Sequence, residues 1–145
     1  MEWITQNPEE TIALGEQIVN KFPEITVIGI EGPLGSGKTH LVKGMGLALG
    51  LPQDMIKSPT FLTLMEHDGV RRLLHFDFYR HQPAAGGPAL STLTEWWQEH
   101  LNHPNALVVV EWPEHIPHAW PSEGAMRLQM ESLGETKRRI RVLPN

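Results

Sequence analysis

Glycine recurs at 32, 35 and 37 in the run Gly32-Pro33-Leu34-Gly35-Ser36-Gly37-Lys38-Thr39, which has the G-x-x-x-x-G-K-[ST] spacing of a phosphate-binding loop. No other stretch restricts the fold so tightly. The backbone of such a loop curls with its N–H groups inward, and a Cβ at those glycines would obstruct the curl or the anion. The motif also demands a strand before it and a helix after it, because the helix N-terminus completes the anion site. Both are legible. Thr26-Val27-Ile28-Gly29-Ile30 is β-branched and short, as a buried strand requires, and Leu41, Val42, Met45, Leu47, Ala48 and Leu49 follow at helical spacing until Gly50 stops them. The expected nucleotide-binding segment is Pro33, Leu34, Gly35, Ser36, Gly37, Lys38, Thr39 and His40, with Lys38 on the β- and γ-phosphates and the Thr39 hydroxyl on Mg²⁺.

Chemistry at this loop needs a carboxylate at the end of a neighbouring strand. Asn105-Ala106-Leu107-Val108-Val109-Val110-Glu111-Trp112 is an almost wholly apolar strand that stops at an acid, so Glu111 is the expected second metal ligand beside Thr39. A further strand, Arg71 to Tyr79, closes with His75-Phe76-Asp77-Phe78-Tyr79-Arg80 and offers Asp77 to orient water or support the metal. Its approach to the phosphates requires a sheet order that brings that strand beside the Gly29-to-Gly32 end, and that order is expected; the rival reading makes Asp77 an ion-pair partner of Arg80. His75 shares a strand face with Asp77. The pairs His100-x-x-His103 and His115-x-x-His118 flank prolines and have no third ligand, which argues against a histidine metal site.

The rest reads as scaffold. A short strand at Met1-Glu2-Trp3-Ile4 precedes helix-start chemistry at Thr5 to Glu10, and an apolar face continues through Ile12, Leu14, Ile18, Val19 and Phe22. Phe61 to Glu66, the turn signal Asp68-Gly69 and the strand from Arg71 form an antiparallel hairpin. His81 to Pro88 reads as a surface loop, Trp96 and Trp97 as packing residues of a short helix, and Met126 to Leu143 as a closing hairpin. The basic run Lys137-Arg138-Arg139-Ile140-Arg141 alternates like the solvated face of an edge strand. The expected fold is therefore α/β: a P-loop NTPase-like sheet, mixed parallel and antiparallel, flanked by helices and extended by β-hairpins.

The 145 residues suit one domain spanning 1–145, and the net charge of -5 opposes binding of DNA or RNA through a broad basic face. There is no cysteine, hence no disulfide or thiolate zinc site. With neither a membrane-length apolar run nor a signal pattern, the expectation is a soluble cytoplasmic protein.

Four motifs in order then resemble the TsaE (YjeE) family of small bacterial ATPases that serve tRNA threonylcarbamoyladenosine (t6A) synthesis. They are Pro33 to Thr39, Ser58-Pro59-Thr60-Phe61, His75 to Arg80, and Glu111-Trp112-Pro113-Glu114. The resemblance implies Mg-ATP hydrolysis with Lys38, Asp77 and Glu111 as catalytic residues, a switch-like loop placing Thr60 near phosphate and metal, and Trp112 close to the nucleotide. It implies TsaB and TsaD as partners, with tRNA met only through their complex. Two rivals begin with the same loop: a small-molecule kinase, for which little sequence is left to build an acceptor pocket and lid, and a nucleotide-gated module with little turnover. A GTPase is disfavoured, because Asn20-Lys21-Phe22-Pro23 lacks the acid that would read guanine.

Overall fold

The computed structural model describes residues 1–57, 64–78, 99, 105–115 and 120–144. The Ser58-Pro59-Thr60-Phe61 element, Tyr79 and Arg80, the 81–92 loop, Trp96 and Trp97, and His100, His103 and His118 lie outside them.

The chain opens with β1 (Glu2–Thr5) and enters α1 (Pro8–Lys21) through a reciprocal cap. The Asn7 side chain accepts from the Glu10 N–H at 2.8 Å while the Glu10 carboxylate accepts from the Gln6 N–H at 3.0 Å, so two otherwise orphaned donors are satisfied. Strand β2 (Val27–Glu31) then runs into the glycine loop, and α2 (Lys38–Ala48) leaves it. The hairpin β3 (Leu64–Asp68) and β4 (Arg72–Asp77) follows, then β5 (Ala106–Glu111), β6 (Ala125–Ser132) and β7 (Arg138–Leu143).

Together these strands make one seven-stranded sheet in the order β1-β7-β6-β2-β5-β4-β3. β6, β2, β5 and β4 are parallel, and β7, β1 and β3 add antiparallel flanks, so the sheet is mixed and of the P-loop α/β type. β5 is buried along its whole length, which is why it reads as an unbroken apolar run. One sheet face, carrying Ile28, Ile30, Leu73, Val109 and Leu128, packs on Leu14, Ile18, Leu41, Val42 and Met45 of the two helices. The other face gathers Val27, Leu74, Phe76, Phe78, Val108 and Val110, with Trp112 and Trp120 against them.

Two expectations change. β7 is not an edge strand, because β1 pairs along it from Glu2 opposite Arg141 to Thr5 opposite Arg138; the edges are β1 and β3. Nor does β4 lie beside β2: β5 intervenes, and Asp77 meets Glu111 across the β4–β5 ladder instead. No helix among the described residues is long and apolar enough to cross a membrane.

Candidate functional site

β2 stops at Glu31, and the chain folds over itself in a tight loop before α2 begins. Ser36 N–H bonds the Pro33 carbonyl at 3.2 Å, and Gly35 and Gly37 take left-handed φ values of +79° and +93°, which a side chain would strain. Pro33, Leu34 and Gly35 are exposed at the tip, whereas Ser36 is buried with a hydroxyl that has no hydrogen-bond partner. An unsatisfied hydroxyl inside a glycine cradle at a helix N-terminus suits an anion. Lys38 is also buried; its ammonium donates to the Gly32 carbonyl and, at 3.4 Å, to that of Pro33. The same group stands 4.2 Å from the centre of the Trp112 ring.

Strand β5 delivers the acid. Glu111 is the register partner of Ile30, so it emerges at the root of the glycine loop, at the carboxyl end of the parallel strands. It is buried, and His75 Nε2–H donates to its Oε2 at 2.6 Å. The other ring nitrogen, Nδ1, is buried with no hydrogen-bond partner. Asp77, half-buried, shares the face of His75 and the rung of Glu111. Burial pushes the Lys38 ammonium below its ordinary pKa, and the charges of Glu111, Asp77 and Glu114 push it back up. Lys38, Asp77 and Glu111 therefore share one electrostatic neighbourhood.

Immediately after Glu111 the backbone at Trp112 takes φ +64°, unusual for a bulky residue, and turns the indole toward Lys38. His115 stacks on that indole with centroids 5.4 Å apart, and its Nδ1–H donates to the Phe78 carbonyl at 2.6 Å. His115 thus braces the tryptophan. Thr39 and His40 lie half-buried in the first turn of α2, and burial, then Lys43 and Arg138, hold the His40 imidazolium below its usual pKa.

Sequence reasoning gave no signal for the next group. Glu31 accepts from Arg127 at 2.8 Å, and the Glu114 carboxyl lies against Glu31. Burial raises the Glu114 pKa, and the Glu31 charge adds to the rise. The two acids are 83 positions apart (114 − 31) and meet only because β2 and β5 are neighbours.

A divalent cation of the Mg²⁺ class would find hard oxygen donors in the Thr39 hydroxyl and the Glu111 carboxylate, flanking the loop that would hold its phosphate ligands. Among the described residues no group of three or more His, Cys, Asp or Glu could cage a metal alone. This donor set fits a metal carried with phosphates.

The family described as "Threonylcarbamoyl adenosine biosynthesis protein TsaE" matches residues 5–140. The tRNA threonylcarbamoyladenosine biosynthesis protein TsaE of Bacillus subtilis is 31% identical over 141 residues, covering 97% of this chain and 83% of that protein. The protein of the same name from Treponema pallidum is 28% identical and covers 98% and 99%. The crystal structure of Bacillus subtilis YdiB superposes with a TM-score of 0.70 at 28% identity, over 98% of this chain and 83% of that one.

Proposed function

This chain belongs to the TsaE family of threonylcarbamoyladenosine biosynthesis proteins, and from that premise we propose that it is a cytoplasmic Mg-ATP hydrolase working with TsaB and TsaD in t6A modification of tRNA. The observation that carries the reading is the meeting of Lys38, Glu111 and Asp77 at the end of the glycine loop.

In this reading the loop backbone and the α2 N-terminus bind the phosphates, and Lys38 moves from the loop carbonyls to the bridging region between the β- and γ-phosphates. Mg²⁺, when bound, offsets charge on those phosphates, with Thr39 and Glu111 to hold it. His75 fixes one oxygen of Glu111 and leaves the other to turn toward the crevice. Asp77, whose charge reaches Lys38 although β5 separates β4 from β2, orients the attacking water. Trp112, braced by His115, walls the crevice and excludes bulk water from Lys38. With net charge -5, contact with tRNA is indirect, through the partner proteins.

Titration with ATP, ADP and GTP in the presence of Mg²⁺, followed by phosphate release with and without TsaB and TsaD, tests this reading. ATP is expected to bind in preference to GTP, and hydrolysis to rise with the partners. Lys38→Ala should retain the fold yet lose useful hydrolysis, since the charge that meets the transferring phosphoryl group is gone. Phosphate release near the unsubstituted rate in that variant would sink the assignment.

A further inference from the structure

The basic run at 137–141 reaches the site just described only through the charge of Arg138 on His40, and its members differ in what they bind. Arg139 pairs with Glu131 at 2.7 Å and Glu2 at 3.4 Å, and Arg141 donates to the Gln129 side chain. Arg138 turns instead toward main chain. Its Nε donates to the Ser36 carbonyl at 2.9 Å, and one Nη2 hydrogen reaches the Gly35 carbonyl at 3.5 Å. The remaining donors bond Gly134 and Lys137 at 2.9 Å each and Glu135 at 3.3 Å. A guanidinium has five N–H groups, and these five carbonyls use them all. None is left over for a phosphate.

We propose that Arg138 is a positioning residue of the nucleotide loop: it ties the outer carbonyls of Gly35 and Ser36 to the turn between β6 and β7, and so fixes the loop in its anion-binding shape. In a trans peptide the C=O of one residue and the N–H of the next point in opposite directions. Holding the Ser36 carbonyl outward therefore aims the Gly37 N–H into the hollow. The side chain is close enough to do so, since a Cβ placed on Gly37 would lie 3.5 Å from Arg138 Nε. The far anchor is itself closed, by Leu133 N–H on the Lys137 carbonyl at 2.9 Å and the Ser132 hydroxyl on Gly134 at 2.8 Å. A loop with glycine at 32, 35 and 37 loses much conformational freedom on ordering. An outside clamp reduces what the nucleotide must order. The inference rests on reading 32–39 as a nucleotide loop.

Arg138→Met and Arg138→Lys in the full chain test it, with Arg141→Met as a control whose side chain bonds elsewhere. Hydrogen exchange on the nucleotide-free protein should show amides 34–37 opening about tenfold faster in both Arg138 variants, because an ammonium cannot bridge loop and turn as the fork does. Mg-ATP affinity should fall about tenfold with a smaller change in kcat, since a backbone cradle grips ground and transition states alike. Arg141→Met should alter neither. Faster exchange confined to 133–137, with the loop amides and ATP affinity unchanged, would reduce Arg138 to a turn brace and overturn the proposal. Full rescue by lysine would overturn it too, since charge alone would then suffice. If the unsubstituted protein bound no ATP, the nucleotide reading would fall, and the exchange arm would still decide whether Arg138 orders the loop.

Discussion

Glu111 and Asp77 occupy one rung of the β4–β5 ladder, but Glu111 is buried and fixed by His75, while Asp77 is half-buried. The less buried acid suits a water-orienting role. Asp77→Asn, nearly the same shape, should bind ATP normally and lose single-turnover hydrolysis by roughly 10²–10⁴-fold; unimpaired chemistry at saturating ATP would return Asp77 to the scaffold. Glu114 leads to a pH prediction. Burial and the Glu31 charge raise its pKa in the folded chain above the unfolded value. Between those two pKa values the folded chain binds more protons than the unfolded chain, so this group's contribution to stability grows as pH falls through the window and is lost as pH rises. Glu114→Gln should therefore raise Tm at neutral pH and lose that advantage once pH drops below the ordinary glutamate pKa. Thermal melts of both proteins across pH 4–8 check the sign.

At the scale of elements, α1 and α2 touch through glycine. A Cβ on Gly44 would fall 1.8 Å from the Ile12 carbonyl oxygen, and one on Gly15 would fall 2.1 Å from that of Leu41. Both obstacles are backbone, which cannot rotate aside. Gly44→Ala in an isolated helix would gain about 0.5–1 kcal/mol from reduced chain entropy, but here it must push the helices apart. A net loss of about 1–3 kcal/mol is expected, read as a lower urea midpoint at unchanged m; a stabilised variant would contradict the close packing. Such contacts mark where the sequence ceased to be legible. The glycine loop, the capped α1, the Asp68-Gly69 turn and the acid ending β5 all follow from local pattern, and the structure places elements accordingly. The covering of β7 by β1, the Glu31–Glu114 contact and the His75–Glu111 bond depend on strand order. Alternation in the basic run looks the same whether a strand is at an edge or one place in from it. Arg138 was hidden in that run for the same reason, because its partners lie 102 and 103 positions away.

For the whole molecule, the carboxyl ends of β2, β5 and β4 bring the glycine loop, Glu111 and Asp77 to one end of the sheet. A ligand bound there and absent from the unfolded chain should stabilise everything at once. Mg-ATP at about a hundred times its Kd is worth ~2.7 kcal/mol, or a Tm rise of several degrees; ATP with excess chelator should give visibly less. Differential scanning calorimetry decides, and an equal rise without the metal would count against Thr39 and Glu111 as its ligands. The opposite end of the sheet holds the start of β1 and the end of β7, where the Met1 carbonyl accepts from Val142 N–H at 3.0 Å. Pulled by those two ends, the molecule would not shear but unzip. Force would concentrate on the rung of Glu2 and Arg141 and travel inward one rung at a time to Thr5 and Arg138, so the first mechanical event detaches β1 while the brace on the nucleotide loop is the last rung to take the load.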